Sequence, residues 1–305
     1  MGKIAFVFAG QGAQHAGMGR DFYERSQKAR ALFDAAETLQ SGILDCCFGE
    51  DEARLQETRN TQPCLFAVEM AICAELEARS LAADVCAGFS LGELAALCYS
   101  GAADFQTMSS LVSQRGALMQ DASEKHPAKM AAVVKLSDDE VIAIAEQFDH
   151  IYPVNFNCPG QVSVSGLAEE MDDFAAAVKA AGGRALPLKV AGGFHSPFMA
   201  EAGAAFADAL EQIDWQAPRI PVIANVSGAA YPAEIAPTLA RQMTSPVQWE
   251  KSVRQMLSGG VDTFIEIGPG ESLCGMIRRI SRDAKVYSAA TLDGVEALIK
   301  EVQSC

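Results

Sequence analysis

The pattern of apolar and polar positions alternates between short apolar runs and longer amphipathic stretches. The apolar runs that predict buried strands lie at residues 4–8, 83–87, 220–226, 263–267 and 285–288. The periodic stretches that predict helices lie at residues 29–39, 63–81 and 104–122. Because strands separated by helices form parallel βαβ units, the sequence predicts an α/β fold with a parallel sheet.

The middle of the chain has a different order of elements. The predicted elements there are strand 129–136, helix 137–147, strands 151–156 and 161–165, helix 171–181 and strand 185–190. This βαββαβ order is typical of a ferredoxin-like unit, and α/β elements resume after it. We therefore expect a ferredoxin-like subdomain at residues 126–191, inserted into an α/β core formed by residues 1–125 and 192–305.

The charge balance excludes several classes of protein. Among 305 residues, 39 Asp and Glu outnumber 24 Lys and Arg, which gives a formal net charge of −15. A surface with this much negative charge repels the phosphates of nucleic acids and of anionic membranes. We therefore expect no nucleic-acid or anionic-membrane partner. No apolar run approaches the roughly 20 residues that span a bilayer, and the first residues carry no basic, apolar leader. We expect a cytoplasmic protein that acts as a monomer.

The cysteines point to reduced thiols rather than disulfides or zinc. They are odd in number and form no Cys-x-x-Cys or Cys/His cluster, so we expect buried cytosolic thiols and no metal site. The nine positions are Cys46, Cys47, Cys64, Cys73, Cys86, Cys98, Cys158, Cys274 and Cys305.

Two glycine-rich segments carry the candidate chemistry. The segment after the first strand, Gly10-Gln11-Gly12, completes neither a dinucleotide nor a phosphate-loop motif, so its backbone amides are free to face a developing oxyanion. Residues 88–92 match Gly-x-Ser-x-Gly, which places Ser90 on a strand-to-helix turn as a nucleophile would be. The alternative is that Ser90 is only the N-cap of the next helix.

A nucleophilic serine needs a base, and His195 is the first candidate. It lies in a glycine-rich loop before a helix that begins with Ser196 and Pro197, and it follows Ser90 in the chain. His15, in the first glycine loop, is the second candidate. A loop histidine that only packs is the alternative reading.

One arginine lies on an apolar helix face. Arg115 falls four residues after Leu111 and three before Leu118, within the apolar stripe of the helix at 104–122. A buried guanidinium needs an anionic partner, which is either an internal Asp or Glu or a carboxylate on the substrate. Asp293 is a possible serine partner of lipid-hydrolase type, or more simply a helix N-cap.

Together these segments resemble the malonyl-CoA:acyl carrier protein transacylases, the acyltransferases of fatty acid and polyketide synthesis. The motifs that carry the resemblance span the chain in order: FAGQG at 8–12, GFSLGE at 88–93, QRG at 114–116, NFNCPGQ at 155–161, FHS at 194–196, SPVQW at 245–249 and EIGPG at 266–270. The resemblance implies an α/β-hydrolase-like core with the inserted subdomain. It also implies malonyl-CoA and acyl carrier protein as substrates, and no cofactor.

The resemblance also implies a role for each matching residue. Ser90 would be the nucleophile and His195 the base, and the Gln248 backbone carbonyl would hold the imidazole. The backbone amides of Gln11 and Leu91 would form the oxyanion hole. Arg115 would bind the malonyl carboxylate.

Two positions beside the catalytic motifs bear on the acyl selectivity. The family usually has histidine where this chain has Phe89, which makes the pocket wall drier. Phe194 resembles the malonyl-selective members of the family.

Docking of an acidic carrier protein to an acidic chain requires a local basic patch, for which Arg278 and Arg279, beside Lys285, are the candidates. Two other functions stay open at this stage: a related acyl hydrolase, and a carrier-binding module without catalysis.

Overall fold

The computed structural model describes residues 2–190 and 192–303. The strands are β1 (Lys3–Phe8), β2 (Val85–Gly88), β3 (Ala128–Val134), β4 (Ile151–Cys158), β5 (Gln161–Leu167), β6 (Arg184–Pro187), β7 (Val222–Ile223), β8 (Val261–Ile267) and β9 (Lys285–Ser288). The helices that precede β3 are α1 (Arg20–Arg25), α2 (Gln27–Leu39), α3 (Ile43–Phe48), α4 (Glu52–Gln56), α5 (Thr58–Ala78), α6 (Leu91–Tyr99) and α7 (Phe105–Lys125). The later helices are α8 (Asp138–Ala145), α9 (Met171–Ala180), α10 (Ala200–Leu210), α11 (Ala236–Ala240), α12 (Trp249–Ser258), α13 (Ser272–Ile280) and α14 (Leu292–Gln303).

A five-stranded parallel sheet forms the centre of the molecule, in the order β7-β2-β1-β8-β9. Strand β1 pairs with β2 on one side and β8 on the other, and from Ile4 to Phe8 every side chain is buried. Because strands buried on both faces cannot alternate polar and apolar residues, this explains the continuous apolar run in the sequence. The predicted α/β fold with a parallel sheet is confirmed.

A second, antiparallel sheet lies in the middle of the chain, in the order β4-β5-β3-β6. Its elements follow the predicted order of strand, helix, two strands, helix and strand. Helix α8 begins with a capping box in which the side chains of Ser137 and Glu140 each bind the other's backbone amide. Helices α8 and α9 pack with this sheet around a hydrophobic cluster of its own.

Two contacts tie the antiparallel sheet to the rest of the molecule. The backbone of Val247, before α12, bonds to β4 through Val247 N to Val154 O (2.8 Å) and Phe156 N to Val247 O (2.9 Å). The Arg279 guanidinium on α13 donates to Gln161 Oε1 (2.6 Å) and Pro159 O (3.0 Å) at the turn between β4 and β5.

Most predicted elements are present, with shifted ends. The predicted strand at 220–226 is shorter in the structure, where it is β7, because the chain turns after Ile223. In this turn the Ala224 carbonyl accepts a hydrogen bond from the Gly228 amide, and the Ala224 amide donates to the Ala229 carbonyl. Helix α5 begins at Thr58, five residues before the predicted start, and contains Pro63. Asp104 caps α7 as predicted, since its Oδ1 accepts the Thr107 amide at 2.8 Å.

The eight cysteines in the described ranges are free thiols, and seven of them are buried. Cys305 lies outside the described residues, and so does Ala191, which is the last residue of the predicted subdomain. In the described part of the chain, no helix is both long and apolar enough to cross a lipid bilayer.

The turn between β2 and α6 packs so closely against β1 that two glycines are required. A Cβ on Gly92 would lie 2.6 Å from the Ala9 carbonyl oxygen and clash with that of Phe8, and a Cβ on Gly88 would clash with the Gly92 backbone. Backbone atoms of a central strand cannot move aside as a flexible side chain can. The glycines of the Gly-x-Ser-x-Gly motif therefore allow α6 to begin directly above β1.

We predict that Gly92→Ala lowers the free energy of unfolding by about 3 kcal/mol, because the added methyl group overpacks backbone. Gly275→Ala on α13 is the matched control, since nothing lies within 4 Å of its Cβ position. There alanine should be neutral or stabilise the helix by up to about 1 kcal/mol. Urea unfolding of both variants checks this, and equal stabilities would contradict the packing argument.

Candidate active site

Ser90 lies in a strained turn at the carboxyl end of β2. Its φ of +55° and ψ of −103° are unusual for a residue with a side chain. The Asn225 side chain holds this turn from both sides: Oδ1 accepts the Ser90 amide (2.8 Å) and Nδ2 donates to the Gly88 carbonyl (2.6 Å). The Ser90 hydroxyl makes no capping hydrogen bond to α6, so the alternative reading as an N-cap side chain is wrong.

The imidazole of His195 lies beside the Ser90 hydroxyl. Its Nε2 is 2.8 Å from Ser90 Oγ, and its Nδ1 is 2.9 Å from the Gln242 carbonyl oxygen. Because a carbonyl oxygen can only accept, Nδ1 must carry the proton, and Nε2 is then free to accept the serine proton. His195 is 3 % exposed and has a φ of +61°. This geometry allows the imidazole to accept a proton from the serine hydroxyl, as a nucleophile and its base require.

The expectation that Gln248 holds the imidazole is wrong. The Gln248 carbonyl accepts the amide (2.9 Å) and the hydroxyl (2.9 Å) of Ser252, as the first turn of α12 requires. The Gln242 carbonyl, six residues earlier, takes that position. Both glutamines lie in one short segment, and nothing in the sequence pattern tells them apart.

The side chain of Gln242 connects the parts of the site. It is fully buried; its Oε1 accepts from Arg115 Nη2 (2.7 Å), and its Nε2 donates to the Ser90 carbonyl (2.7 Å) and to Glu93 Oε2 (2.6 Å). Because an amide has distinct donor and acceptor ends, Glu93 fixes which end faces the arginine. Gln242 therefore contacts the His195 imidazole through its backbone and the Arg115 guanidinium through its side chain.

Arg115 is a buried cation with neutral partners. It is fully buried on α7, and its guanidinium donates to Gln62 Oε1 (2.7 Å), Gln242 Oε1 (2.7 Å) and Ser90 Oγ (3.2 Å). Its Nε has no partner among the described residues. Burial lowers the Arg115 pKa to about 10, which leaves it charged at neutral pH. In the described ranges it forms no direct ion pair, and the nearby Glu93 charge acts on it only indirectly, across Gln242.

Glu93 is a buried carboxyl group one turn after the serine. Its oxygens accept hydrogen bonds from the Tyr231 hydroxyl (2.5 Å), the backbone amide of Asn225 (3.1 Å) and the side-chain Nε2 of Gln242 (2.6 Å). Burial raises its pKa to about 7, while the hydrogen bonds and the charge of Arg115 oppose that rise. In the sequence Glu93 is only the last residue of the GFSLGE motif, because its partners Tyr231 and Asn225 lie too far along the chain for any local pattern to connect them.

The backbone amides of Gln11 and Leu91 are unoccupied donors beside the serine. Neither donates a hydrogen bond to any residue in the described ranges. The Gln11 side chain donates to Thr58 Oγ1 (3.1 Å), which anchors the loop after β1 to the start of α5. Both residues border the same cavity as Ser90. Leu91 is the first residue of α6 and Gln11 lies in the loop after β1, and two backbone amides from such positions can stabilise an oxyanion.

A cavity of about 80 Å³ joins these groups. It is bordered by Ser90, His195, Arg115 and Gln11, and by one polar side chain from the antiparallel sheet, Asn155. Its apolar lining comes from Phe89, Met119, Met130, Leu188, Val190 and Phe194. A cavity that is mostly apolar with a few convergent polar groups is the usual form of a small-molecule site.

Phe89 contributes an aromatic ring to the cavity wall and makes no side-chain hydrogen bond. Its ring packs edge-on against Trp249, with centroids 5.6 Å apart. It therefore joins the cavity wall to the core beneath the parallel sheet.

The remaining candidate residues lie apart from this cluster. His15 is exposed, with Nδ1 3.0 Å from the neighbouring Ala16 carbonyl, so it is not the base. Asp293 is exposed on α14 and pairs with Arg25 at 2.6 Å; it lies inside the helix and is not its N-cap. Arg278 and Arg279 lie on α13, where Arg279 binds the β4–β5 turn and Arg278 is 3.9 Å from Glu271.

The comparisons with known proteins agree with this geometry. The chain matches the acyl transferase domain family over residues 5–303. It is 38 % identical over 304 residues to a malonyl CoA-acyl carrier protein transacylase of Staphylococcus aureus (strain MRSA252), covering 97 % of this chain and 98 % of that protein. The malonyl CoA-acyl carrier protein transacylase structure from Clostridium perfringens ATCC 13124 has a TM-score of 0.95 at 32 % identity, covering 99 % and 98 % of the two chains. A malonyl-transacylase in complex with its type II PKS acyl-carrier protein has a TM-score of 0.93 at 31 % identity, covering 98 % and 99 %.

We predict that Ser90 reacts with a fluorophosphonate probe down to about pH 5 and loses half its rate near pH 4. Burial first, and the charge of Arg115 second, lower the His195 pKa to about 4. The neutral base is therefore present above that pH and lost below it. The measurement is the labelling rate from about pH 3 to about pH 8, so that points lie on both sides of the expected midpoint, with circular dichroism at each pH to confirm folding.

A half-rate near the ordinary histidine pKa of about 6.5 would contradict this prediction. Burial raises the pKa of Glu93 to about 7, so a second inflection near that pH is expected from this carboxyl group. Glu93→Gln distinguishes the two, since an inflection that disappears in this variant belongs to Glu93.

Proposed function

Since this chain belongs to the acyl transferase domain family, we propose that it moves a malonyl group from coenzyme A to the phosphopantetheine thiol of an acyl carrier protein. The observation that carries the malonyl assignment is Arg115: a buried cation, 3.2 Å from the Ser90 hydroxyl, whose partners are neutral. Such a group favours an acyl chain that ends in a carboxylate. The relatives named above support the same reaction.

In the first half-reaction, His195 Nε2 accepts the proton of the Ser90 hydroxyl as Oγ attacks the thioester carbonyl. The oxyanion is stabilised by the amides of Gln11 and Leu91, at roughly 3 kcal/mol for each donor. The carbon–sulfur bond then breaks, and His195 returns the proton to the sulfur of coenzyme A. The product is malonyl-Ser90.

In the second half-reaction, the carrier's thiol gives its proton to His195, and its sulfur attacks the ester carbonyl. The same two amides stabilise the oxyanion. When the carbon–oxygen bond breaks, His195 returns the proton to Ser90. The steps use only groups of this chain and the two substrates, so the proposed scheme requires no cofactor.

Arg115 orients the acyl group throughout. Its two hydrogen bonds to amide oxygens fix the guanidinium plane without neutralising its charge. The Gln242 carbonyl fixes the imidazole in place of the acid of a serine triad. Because that carbonyl is neutral, the imidazole gains less stabilisation when protonated than beside a carboxylate, consistent with its lowered pKa.

We also propose the finer architecture. Residues 126–191 would form a ferredoxin-like subdomain, which the βαββαβ order of β3–β6 supports. Residues 1–125 and 192–305 would form an α/β-hydrolase-like core, supported by the parallel sheet and the serine turn after β2. The free cysteine thiols support a cytoplasmic location.

The direct test is the intact mass of the protein after incubation with malonyl-CoA. The wild-type protein should gain one malonyl group, and Ser90→Ala should gain none, while Ser110→Ala, a control on the exposed face of α7, should behave as wild type. Initial rates with carrier protein should follow ping-pong kinetics. Free malonate as the main product would instead identify a hydrolase.

Arg115→Ala should lower kcat/KM for malonyl transfer roughly 100-fold, which corresponds to a loss of about 3 kcal/mol of transition-state stabilisation. The reason is that it removes the desolvated charge that would pair with the malonyl carboxylate. Transfer of acetyl, which has no carboxylate, should fall far less. The ratio of the two rates is the readout, because any general loss of folding affects both equally. Equal losses would mean that Arg115 is structural.

We propose Arg278 and Arg279 as part of the carrier-docking surface, on the basis of their charge and exposure on α13. Arg278→Glu is the better test because Arg279 also holds the β4–β5 turn. It should raise KM for the carrier protein several-fold and leave malonyl-Ser90 formation unchanged. Lys28→Glu, exposed on α2, is the charge-matched control. Slower acylation by malonyl-CoA would contradict this assignment.

A further inference from the structure

We propose that the side chain of Asn155 binds the pantetheine amide nearest the thiol, the group that coenzyme A and the carrier protein share. This proposal rests on the proposed function and adds a binding residue to it. Asn155 would act in both half-reactions, on the leaving thiol in the first and on the attacking thiol in the second.

Asn155 has an unsatisfied amide in the cavity. It is 7 % exposed and borders the same cavity as Ser90. Its Oδ1 is buried without a partner, and its Nδ2 makes no hydrogen bond to any described residue. Because buried polar groups in native proteins are nearly always hydrogen-bonded, such a side chain indicates a partner from outside the chain.

Hydrogen bonds on both sides of Asn155 hold its backbone in place at the cavity wall. Val154 and Phe156, on either side, bond to the Val247 backbone, and Asn155 pairs with Ser163 across the sheet. Binding a ligand therefore has to order the side-chain torsions of Asn155 and not its backbone.

The chemistry of the unassigned part of the substrate matches this side chain. Arg115 is used by the carboxylate, the amides of Gln11 and Leu91 by the oxyanion, and Ser90 by the acyl carbon. What remains is the thiol arm, in which two methylene groups separate the sulfur from an amide. An asparagine side chain offers one acceptor and one donor group to that amide, and the apolar residues Met130, Leu188 and Val190 suit the methylene groups.

Asn157 provides a matched control on the same strand. Its Oδ1 is also buried without a partner, and it is 3 % exposed. Its Nδ2, however, donates to Ser163 Oγ at 3.1 Å, and it does not border the cavity. Loss of Asn157 should therefore affect folding and not the recognition of one part of the substrate.

The test compares two small malonyl donors. Malonyl-N-acetylcysteamine keeps the amide two carbons from sulfur, and malonyl-S-pentyl thioester replaces it with methylene groups. We expect the kcat/KM ratio of amide to alkyl donor to fall about tenfold from wild type to Asn155→Ala, as loss of one hydrogen bond predicts. Asn155→Ser should give a smaller decrease, and Asn157→Ala should leave the ratio unchanged.

A second readout uses the complete substrates. KM should rise by a similar factor for malonyl-CoA and for the holo carrier protein in Asn155→Ala. If Asn155→Ala and Asn155→Ser lower both small donors equally, Asn155 is structural and the proposal is overturned while the proposed function stands. If the wild-type protein forms no malonyl-Ser90 from either donor or from malonyl-CoA, the proposed function fails, and this binding role with it.

Discussion

The burial of one positive charge among neutral oxygens determines the form of this site. A guanidinium removed from water is costly unless an anion or several well-placed acceptors compensate it. Here Arg115 receives two amide oxygens and the serine hydroxyl, with the Glu93 charge behind Gln242 as a weaker, indirect compensation. These neutral acceptors do not neutralise the charge of Arg115. The free protein therefore already favours binding an anion beside Ser90.

The hydrogen bonds to Arg115 and to the Ser90 turn join segments that are far apart in the sequence. Gln62 comes from α5, Arg115 from α7 and Gln242 from the segment before α12, and Asn225 after β7 holds the serine turn. The antiparallel sheet contributes a cavity wall through Asn155 and is joined to the core by the Val247 backbone. The size of the acyl site therefore depends on how these two parts of the molecule fit.

Local patterns in the sequence were sufficient for the elements and for part of the site. Continuous apolar runs predicted the buried strands, Asp104 predicted the start of α7, and the apolar stripe around Arg115 predicted its burial. Each of these depends on neighbours within a few residues, which the sequence displays directly.

The missed features all depend on contacts between residues far apart in sequence. Choosing Gln248 over Gln242 was wrong because either carbonyl could face the histidine until the start of α12 is known. Asn225 and Tyr231 were missed because their partners lie more than 130 positions away. A two-residue strand such as β7 is likewise defined by its pairing with β2 and not by its own sequence.

The partner of the His195 Nδ1 proton is a main-chain carbonyl, so this acceptor does not depend on which side chain stands at residue 242. No single amino-acid replacement deletes a peptide oxygen, whereas the aspartate of a serine–histidine–aspartate triad is lost by one codon change. Replacing the Gln242 side chain removes its contacts to Arg115, Glu93 and the Ser90 carbonyl, but it leaves the acceptor that selects the imidazole tautomer. A side-chain change at this position therefore alters the surroundings of Arg115 and Ser90 while it keeps the acceptor of the His195 Nδ1 proton.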